Sequence, residues 1–269
     1  MIAEDQGADW VYSPGETILD KVRRKVSRFV ARRPARLSFD RPVVSFAFDD
    51  APVTALRDGA AILEAAGARG TFYISAGLSG RDSPMGVYAG MDEVERAAAA
   101  GHEIGCHTFS HLDCGRAPAG AIEADAAANV AALRQRGFSV DTFAYPYGEV
   151  SPTAKRVLGD KYRALRTVRA GMVRDACDLA WLPGVGIEGE DGEAKANAWL
   201  DRARAANAWV ILFTHDVRPE PSPWGCTPGA LERLVKRARS DGFDVATVRD
   251  ALTLGETPLP EGSRGVRAA

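Results

Sequence analysis

Short apolar runs alternate with amphipathic stretches along most of this chain. Residues 43–48 (VVSFAF), 70–75 (GTFYIS), 102–106 (HEIGC), 142–145 (TFAY), 162–168 (YRALRTV), 209–214 (WVILFT) and 243–248 (FDVATV) are rich in β-branched and aromatic residues and read as strands. Between them, residues 53–66, 91–100, 118–136, 152–158, 193–206, 229–240 and 249–254 read as helices. Gly67, Gly101 and Gly137 close three of these helices. Residues 76–90 and 218–228 are rich in glycine or proline and read as loops, and residues 170–192 read as irregular. Strand and helix in strict alternation imply a mostly parallel sheet. About seven such units without a dinucleotide-binding glycine pattern favour a closed barrel over an open sheet. The expected fold class is therefore α/β, a single (β/α) barrel over residues 41–254.

The two ends break this pattern. In residues 17–36, Ile18, Leu19, Val22, Val26, Phe29 and Val30 recur at helical spacing, opposite Lys21, Arg23, Arg24, Lys25, Arg28, Arg32 and Arg33. This predicts a basic amphipathic helix, stopped by Pro34, within an N-terminal extension of residues 1–40. Such a helix either packs on the domain with its basic face in water or lies on an anionic membrane. Residues 255–269, rich in Gly, Pro and Arg, read as a disordered tail.

Composition narrows the function classes. A chain of 269 residues can bury a sizeable core, and a net charge of −2 gives no pull toward nucleic acid. No apolar run is long enough to span a bilayer, and residues 1–9 are acidic with no apolar stretch behind them. The expected compartment is the cytoplasm, at the inner face of the membrane if the basic helix rests there. The four cysteines contain no CxxC pair, which points to reduced thiols rather than a zinc knuckle.

Three of the four histidines, His102, His107 and His111, fall within residues 101–111 (GHEIGCHTFSH). If the chain turns helical after His107, His107 and His111 lie one turn apart on one face. Barrels carry their chemistry at the C-terminal ends of strands. Four such ends here carry reactive groups: Asp49-Asp50, His107 to His111, Tyr145 to Gly148, and His215-Asp216. Asp50, His107 and His111 would form a His₂-carboxylate metal site, with Zn²⁺ expected and Co²⁺ or Ni²⁺ accepted by the same donors. A metal there lowers the pKa of a bound water to about 7. Asp49 could then act as base, His215 as acid, and the Tyr147 amide as oxyanion donor, which together describe hydrolysis of an amide or ester. Cys106 should face away from His107, and His102, on the far side of Gly105, should only pack or hydrogen-bond near the strand start.

In order and spacing, FAFDD, GHEIGCHTFSH, FAYPYG and ILFTHD resemble the motifs of the polysaccharide deacetylases, carbohydrate esterase family 4, also called the NodB-homology domain. GTFYIS resembles the family's second strand. The resemblance spans residues 43–248. It implies a distorted (β/α) barrel and metal-dependent removal of acetyl from N-acetylated sugars. It also implies Asp49 as base, Asp50, His107 and His111 as metal ligands, Tyr147 at the oxyanion and His215 as acid. The departures are specific. No Arg precedes Pro146, so Arg69 or Arg166 is the candidate to orient Asp49. The fourth motif's Asp-Trp pair has only Asp178 and Trp181 as poorly spaced counterparts, and Phe213 stands where Leu is commoner. Trp224 either stacks on a sugar ring or packs its loop on the barrel. The expected activity is N-deacetylation of GlcNAc-type units in a polysaccharide or its precursor, in exopolysaccharide modification. An O-acetyl esterase is the alternative. A silent glycan-binding barrel is disfavoured, because a binder has no need of acid, base and ligands together. The expected partners are an N-acetylated glycan and, through residues 17–36, the membrane surface; a homodimer is compatible with the sequence.

Overall fold

The computed structural model describes residues 25–256. In chain order the strands are β1 (Pro34–Leu37), β2 (Val43–Phe48), β3 (Thr71–Ile74), β4 (Glu103–Cys106), β5 (Thr142–Ala144), β6 (Ala164–Arg166), β7 (Asp175–Asp178), β8 (Val185–Gly186), β9 (Trp209–Thr214) and β10 (Asp244–Val245). The helices are α1 (Ala60–Ala65), α2 (Met91–Ala99), α3 (Ala119–Gln135), α4 (Pro152–Gly159), α5 (Gly192–Ala206), α6 (Pro228–Ser240) and α7 (Val248–Gly255).

Seven parallel strands, in the order β6-β5-β4-β3-β2-β9-β8, curl into a distorted (β/α) barrel, and β10 adds to the start of β2. The seam between β6 and β8 is drawn together at Leu182, whose amide donates to Leu165 O at 2.8 Å while its carbonyl accepts from Thr167 N at 2.8 Å. The central strands are buried on both faces, which is why they read as unbroken apolar runs. Side-chain alternation divides their contacts. Val44, Phe46, Phe48, Phe72 and Ile74 pack under the helices, whereas Val43, Ala47, Tyr73, Ile211 and Phe213 belong to a second cluster. Val248, Ala251 and Leu252 of α7 join that second cluster, and the Val248 and Arg249 amides bond Thr71 and Glu103 at the strand starts. This end of the barrel is thereby closed, and the opposite end is left for chemistry.

Registers set the site. β2 pairs with β9 from Val43–Trp209 to Phe48–Thr214, so Asp49 and His215 leave the sheet side by side. β3 pairs with β4 up to Ile74–Cys106, so His107 follows at the same level.

The structure differs from the expectation in several places. Residues 170–192 are not wholly irregular: they contain β7 and β8. The run Asp175–Asp178 (DACD) is polar and largely exposed because β7 pairs only with β1, in a two-stranded antiparallel sheet off the barrel. Residues 53–66 include a π-helical turn, Ala55–Gly59, before α1. The strands expected at 162–168 and 243–248 are shorter, as β6 and β10 each have a neighbour on one side only within the sheet. Most of the basic helix expected at 17–36 lies outside the described residues. Its end is earlier than Pro34: the helix stops at residue 27, Ala31 turns left-handed (φ 48°), and β1 starts at Pro34, with the Arg33 amide bonded to Asp178 at 2.8 Å. The tail from residue 257 also lies outside the described residues. No helix among the described residues is long and apolar enough to cross a membrane.

Candidate active site

Asp49 and Asp50 are adjacent, and in a strand they would point to opposite faces. The strand ends at Phe48, and the left-handed turn at Asp50 (φ 58°) and Ala51 (φ 42°) brings both carboxylates into one buried site. His107 is buried directly after β4. Its Nδ1 lies 2.8 Å from the Ala144 carbonyl, which can only accept, so Nδ1 carries the hydrogen and Nε2 presents its lone pair. His111 returns to the same point, though not on a helix as its spacing suggested. Residues 107–111 form a loop with left-handed turns at Thr108 (φ 61°) and His111 (φ 58°).

The ligand atoms of Asp50, His107 and His111 all lie within 4.8 Å of one another. Asp50 Oδ1 is 3.2 Å from His111 Nε2 and 3.8 Å from His107 Nε2, and it is a buried oxygen with no hydrogen-bond partner. Tetrahedral bonds of about 2.0–2.1 Å place donor atoms roughly 3.3 Å apart, so this set fits a zinc-sized ion. Burial, reinforced by His111, pushes His107 down to about 4, and burial with His215 pushes His111 to about 4. Both imidazoles are thus kept neutral, as ligation requires. Burial raises the Asp50 carboxyl above its ordinary value, against the pull of His107 and His215.

Asp49 has the opposite balance. Burial would raise it, but the Arg166 guanidinium, with His107 and His215, outweighs burial and holds it below the usual carboxylate range. Arg166 Nη2 donates to Asp49 Oδ1. The guanidinium is fully buried between two rings, 5.2 Å from the Tyr73 centroid and 4.8 Å from that of Phe213. Of the two arginine candidates, then, Arg166 reaches Asp49. Arg69 does not: its guanidinium donates to the Ala68 and Ala100 carbonyls near the start of β4, away from the site.

His215 follows β9. Its Nδ1 lies 3.1 Å from the Trp224 carbonyl, so Nδ1 is the donor and Nε2 is available for proton transfer. Glu188 Oε2 approaches the same Nδ1 at 3.9 Å and is itself buried without a hydrogen-bond partner. Burial raises the Glu188 carboxyl, with His215 opposing. Glu188 escaped the sequence reading because it follows a strand of only two residues. The signal was present in the run G-V-G-I before the acid, the same strand-then-acid pattern as at Asp49. An added Cβ at Gly186 would lie 2.7 Å from the Glu188 carboxylate, so a larger residue there would make that side chain shift.

The remaining candidates divide. Tyr147 takes a left-handed turn (φ 58°) in Pro146–Gly148, and its ring meets His111 edge-on at 4.3 Å between centroids. The Trp224 ring packs on the loop cluster of Leu78, Met85 and Tyr88. Its loop is held by buried Asp216, paired with Arg218 at 2.8 Å and bonded to Ser222. Asp178 is remote from this chemistry: it pairs with buried Lys155 at 2.7 Å and takes the Arg33 and Ala180 amides. His102 accepts from the Gly70 amide at 2.9 Å, a hydrogen bond near the strand start as expected, and Cys106 faces Asn129 rather than the candidate ligands. Tyr88 also went unread; it bridges to Pro52 beside the ligand turn, and burial and the Asp50 charge raise its hydroxyl.

Residues 36–162 match the family model described as polysaccharide deacetylase. No curated protein matches the chain. Among solved structures, a T48 deacetylase with substrate is similar at a TM-score of 0.57 and 21% identity, covering 80% of this chain and 93% of that one. A family 4 acetyl xylan esterase from Clostridium thermocellum, in complex with a cobalt ion, is similar at a TM-score of 0.56 and 26% identity, covering 79% and 91%. The chitin deacetylase from the fungal pathogen Colletotrichum lindemuthianum follows at a TM-score of 0.56 and 20% identity, covering 82% and 92%.

Proposed function

We propose that this chain, which belongs to the polysaccharide deacetylase family, is a metal-dependent hydrolase that removes N-acetyl groups from N-acetylglucosamine-type units of a polysaccharide or its precursor. One observation carries this reading: a charged carboxylate, an imidazole with one nitrogen to spare and a three-donor ligand set meet at one end of the barrel. When bound by Asp50, His107 and His111, a divalent metal, zinc by preference, supplies Lewis acidity to the acetyl carbonyl and acidifies a water.

The chain's own residues do the rest. Asp49 takes the proton from the attacking water as its oxygen bonds to the acyl carbon. The Tyr147 amide donates to the carbonyl oxygen as that atom gains charge. His215 Nε2 gives a proton to the departing nitrogen as the C–N bond breaks, so acetate and a free amine leave. Arg166 keeps Asp49 ionised and aimed, the task the family gives to an arginine that is missing before Pro146 here. Glu188 lies where it can steady the imidazolium form of His215. The test is product analysis on N-acetylglucosamine oligomers. Acetate and new amine in equal amounts are expected; acetate from O-acetylated glycans alone would replace this reading with the esterase one. The esterase reading has its own support in the 26% identity to an acetyl xylan esterase.

The setting we propose is the inner membrane face, on an exopolysaccharide precursor. Exposed Val26 and Phe29 sit among exposed Lys25, Arg28 and Arg32. Ser27 beside them bonds the Val150 carbonyl at 2.9 Å, three residues beyond Tyr147. An apolar pair ringed by cations suits an anionic lipid surface. Equal recovery of wild type and a Phe29→Ser/Arg28→Glu/Arg32→Glu variant on anionic vesicles would remove this setting.

A further inference from the structure

The loop that delivers His111 is held in a conformation it would not choose. Thr108 and His111 both have left-handed φ, 61° and 58°, which side chains other than glycine disfavour. What holds it is a carboxylate on α3. Asp125 Oδ1 accepts from the Phe109 amide at 2.6 Å and the Ser110 amide at 3.0 Å, while Oδ2 accepts from Ser110 Oγ at 2.7 Å. One helical turn later, buried Asn129 accepts from the Ala76 amide at 2.8 Å and donates to the Ile74 carbonyl at 2.8 Å. The two loops are tied to each other as well, by the Gly77 amide on the Phe109 carbonyl at 3.0 Å and Ser75 Oγ on the His107 carbonyl at 2.8 Å. α3 is therefore a splint across the ends of β3 and β4, and Asp125 is its grip on the segment between the two histidines.

We infer that Asp125 is a positioning residue for the metal centre: by holding Phe109 and Ser110 it fixes His111 against Asp50 before any metal arrives. This rests on the metal site proposed above. A ligand held in place needs no ordering when the ion binds, so the hold raises affinity although Asp125 touches no ligand. A charged acceptor also suits two adjacent amides and a hydroxyl better than a neutral one.

The test is the zinc affinity of the full chain, measured by chelator competition. Asp125→Ala should fold, since the position is half-exposed on a helix and alanine favours helix. It is expected to bind zinc about 10–100-fold more weakly. Asp125→Asn keeps an oxygen for both amides and should stay much closer to wild type. Leu133→Ala, in the buried face of the same helix, lowers stability without touching the loop and should leave the affinity of the folded protein unchanged. Amide exchange gives a second readout independent of metal: Phe109 and Ser110 should exchange faster in Asp125→Ala and not in Leu133→Ala. Wild-type zinc affinity in Asp125→Ala, an equal loss in Leu133→Ala, or unchanged exchange at Phe109 and Ser110 would overturn the inference. Failure of the wild type to bind zinc would instead strike the proposed metal site, and the exchange data would still report on Asp125.

Discussion

Arg166 is a fully buried cation whose Nε and Nη1 have no hydrogen-bond partner, an arrangement that is costly unless the charge is used. Its use is on Asp49. Burial alone would raise that carboxyl, and Arg166 reverses the sign. A base must be deprotonated to act. Replacing Arg166 with Met leaves burial unopposed by its largest counterweight, so Asp49 takes its proton at a higher pH and the acidic limb of kcat/KM moves upward. A loss of about 10²-fold at neutral pH accompanies this as the carboxylate loses its aim. A pH–rate profile superimposable on wild type would show that Arg166 has no such role. The ligand histidines give a second pH prediction. Because burial holds both near 4, the two histidines should not weaken zinc binding as the pH is lowered through 6.5, and loss of affinity above 4 should come from Asp50, whose carboxyl burial raises. A His107 or His111 ring that titrates near 6.5 in the metal-free protein, read by NMR, would contradict their depressed values. At this scale the convergence of the candidate site was largely legible, because Asp49, Asp50, His107 and His215 each follow an apolar strand run. Arg69 and Arg166 could not be ranked from sequence. Each stands near a strand, and only the fold shows that Arg69 lies near the strand starts and Arg166 at the strand ends.

Among the elements, a buried ion pair ties β7 to α4. Lys155 Nζ on α4 reaches Asp178 at 2.7 Å and the Ser27 carbonyl at 3.1 Å, and Asp178 also takes the Arg33 amide. Removing one partner strands the other charge away from water. Asp178→Ala should cost about 3–5 kcal/mol in urea unfolding, whereas Lys155→Met with Asp178→Asn, which removes both charges and keeps an oxygen for the Arg33 and Ala180 amides, should recover most of it. A cost below about 1 kcal/mol for Asp178→Ala would mean that the pair contributes only as much as a surface bridge. This element pair was hidden in the sequence for a physical reason. β7 is polar because it lies off the barrel, so it shows no apolar run, and its partner β1 is a four-residue run (PARL) that opens on the proline expected only to stop a helix. The His107–His111 loop misled in the same way: a spacing of four fits a helix, and left-handed turns at Thr108 and His111 have no sequence mark.

For the whole molecule, strand-helix alternation was enough to read a parallel sheet, because a parallel strand buried on both faces must be followed by a crossover helix, and the number of units without a dinucleotide-binding glycine pattern pointed on to a barrel. Register was not readable, yet it is what brings Asp49, His107 and His215 to one level. The barrel so built has one end closed by α7 and Glu103 and the other carrying the proposed ligands, base and acid. A site assembled from β2, β4, β6 and β9 acts only as a unit, so removal of either the metal or the base should silence it. The most direct measurement is acetate release from N-acetylglucosamine oligomers by the metal-stripped protein, the zinc-restored protein and zinc-restored Asp49→Asn. Release is expected only in the zinc-restored wild type, with the variant lower by about 10²–10⁴-fold. Equal release by the stripped and restored protein, or by Asp49→Asn and wild type, would contradict it.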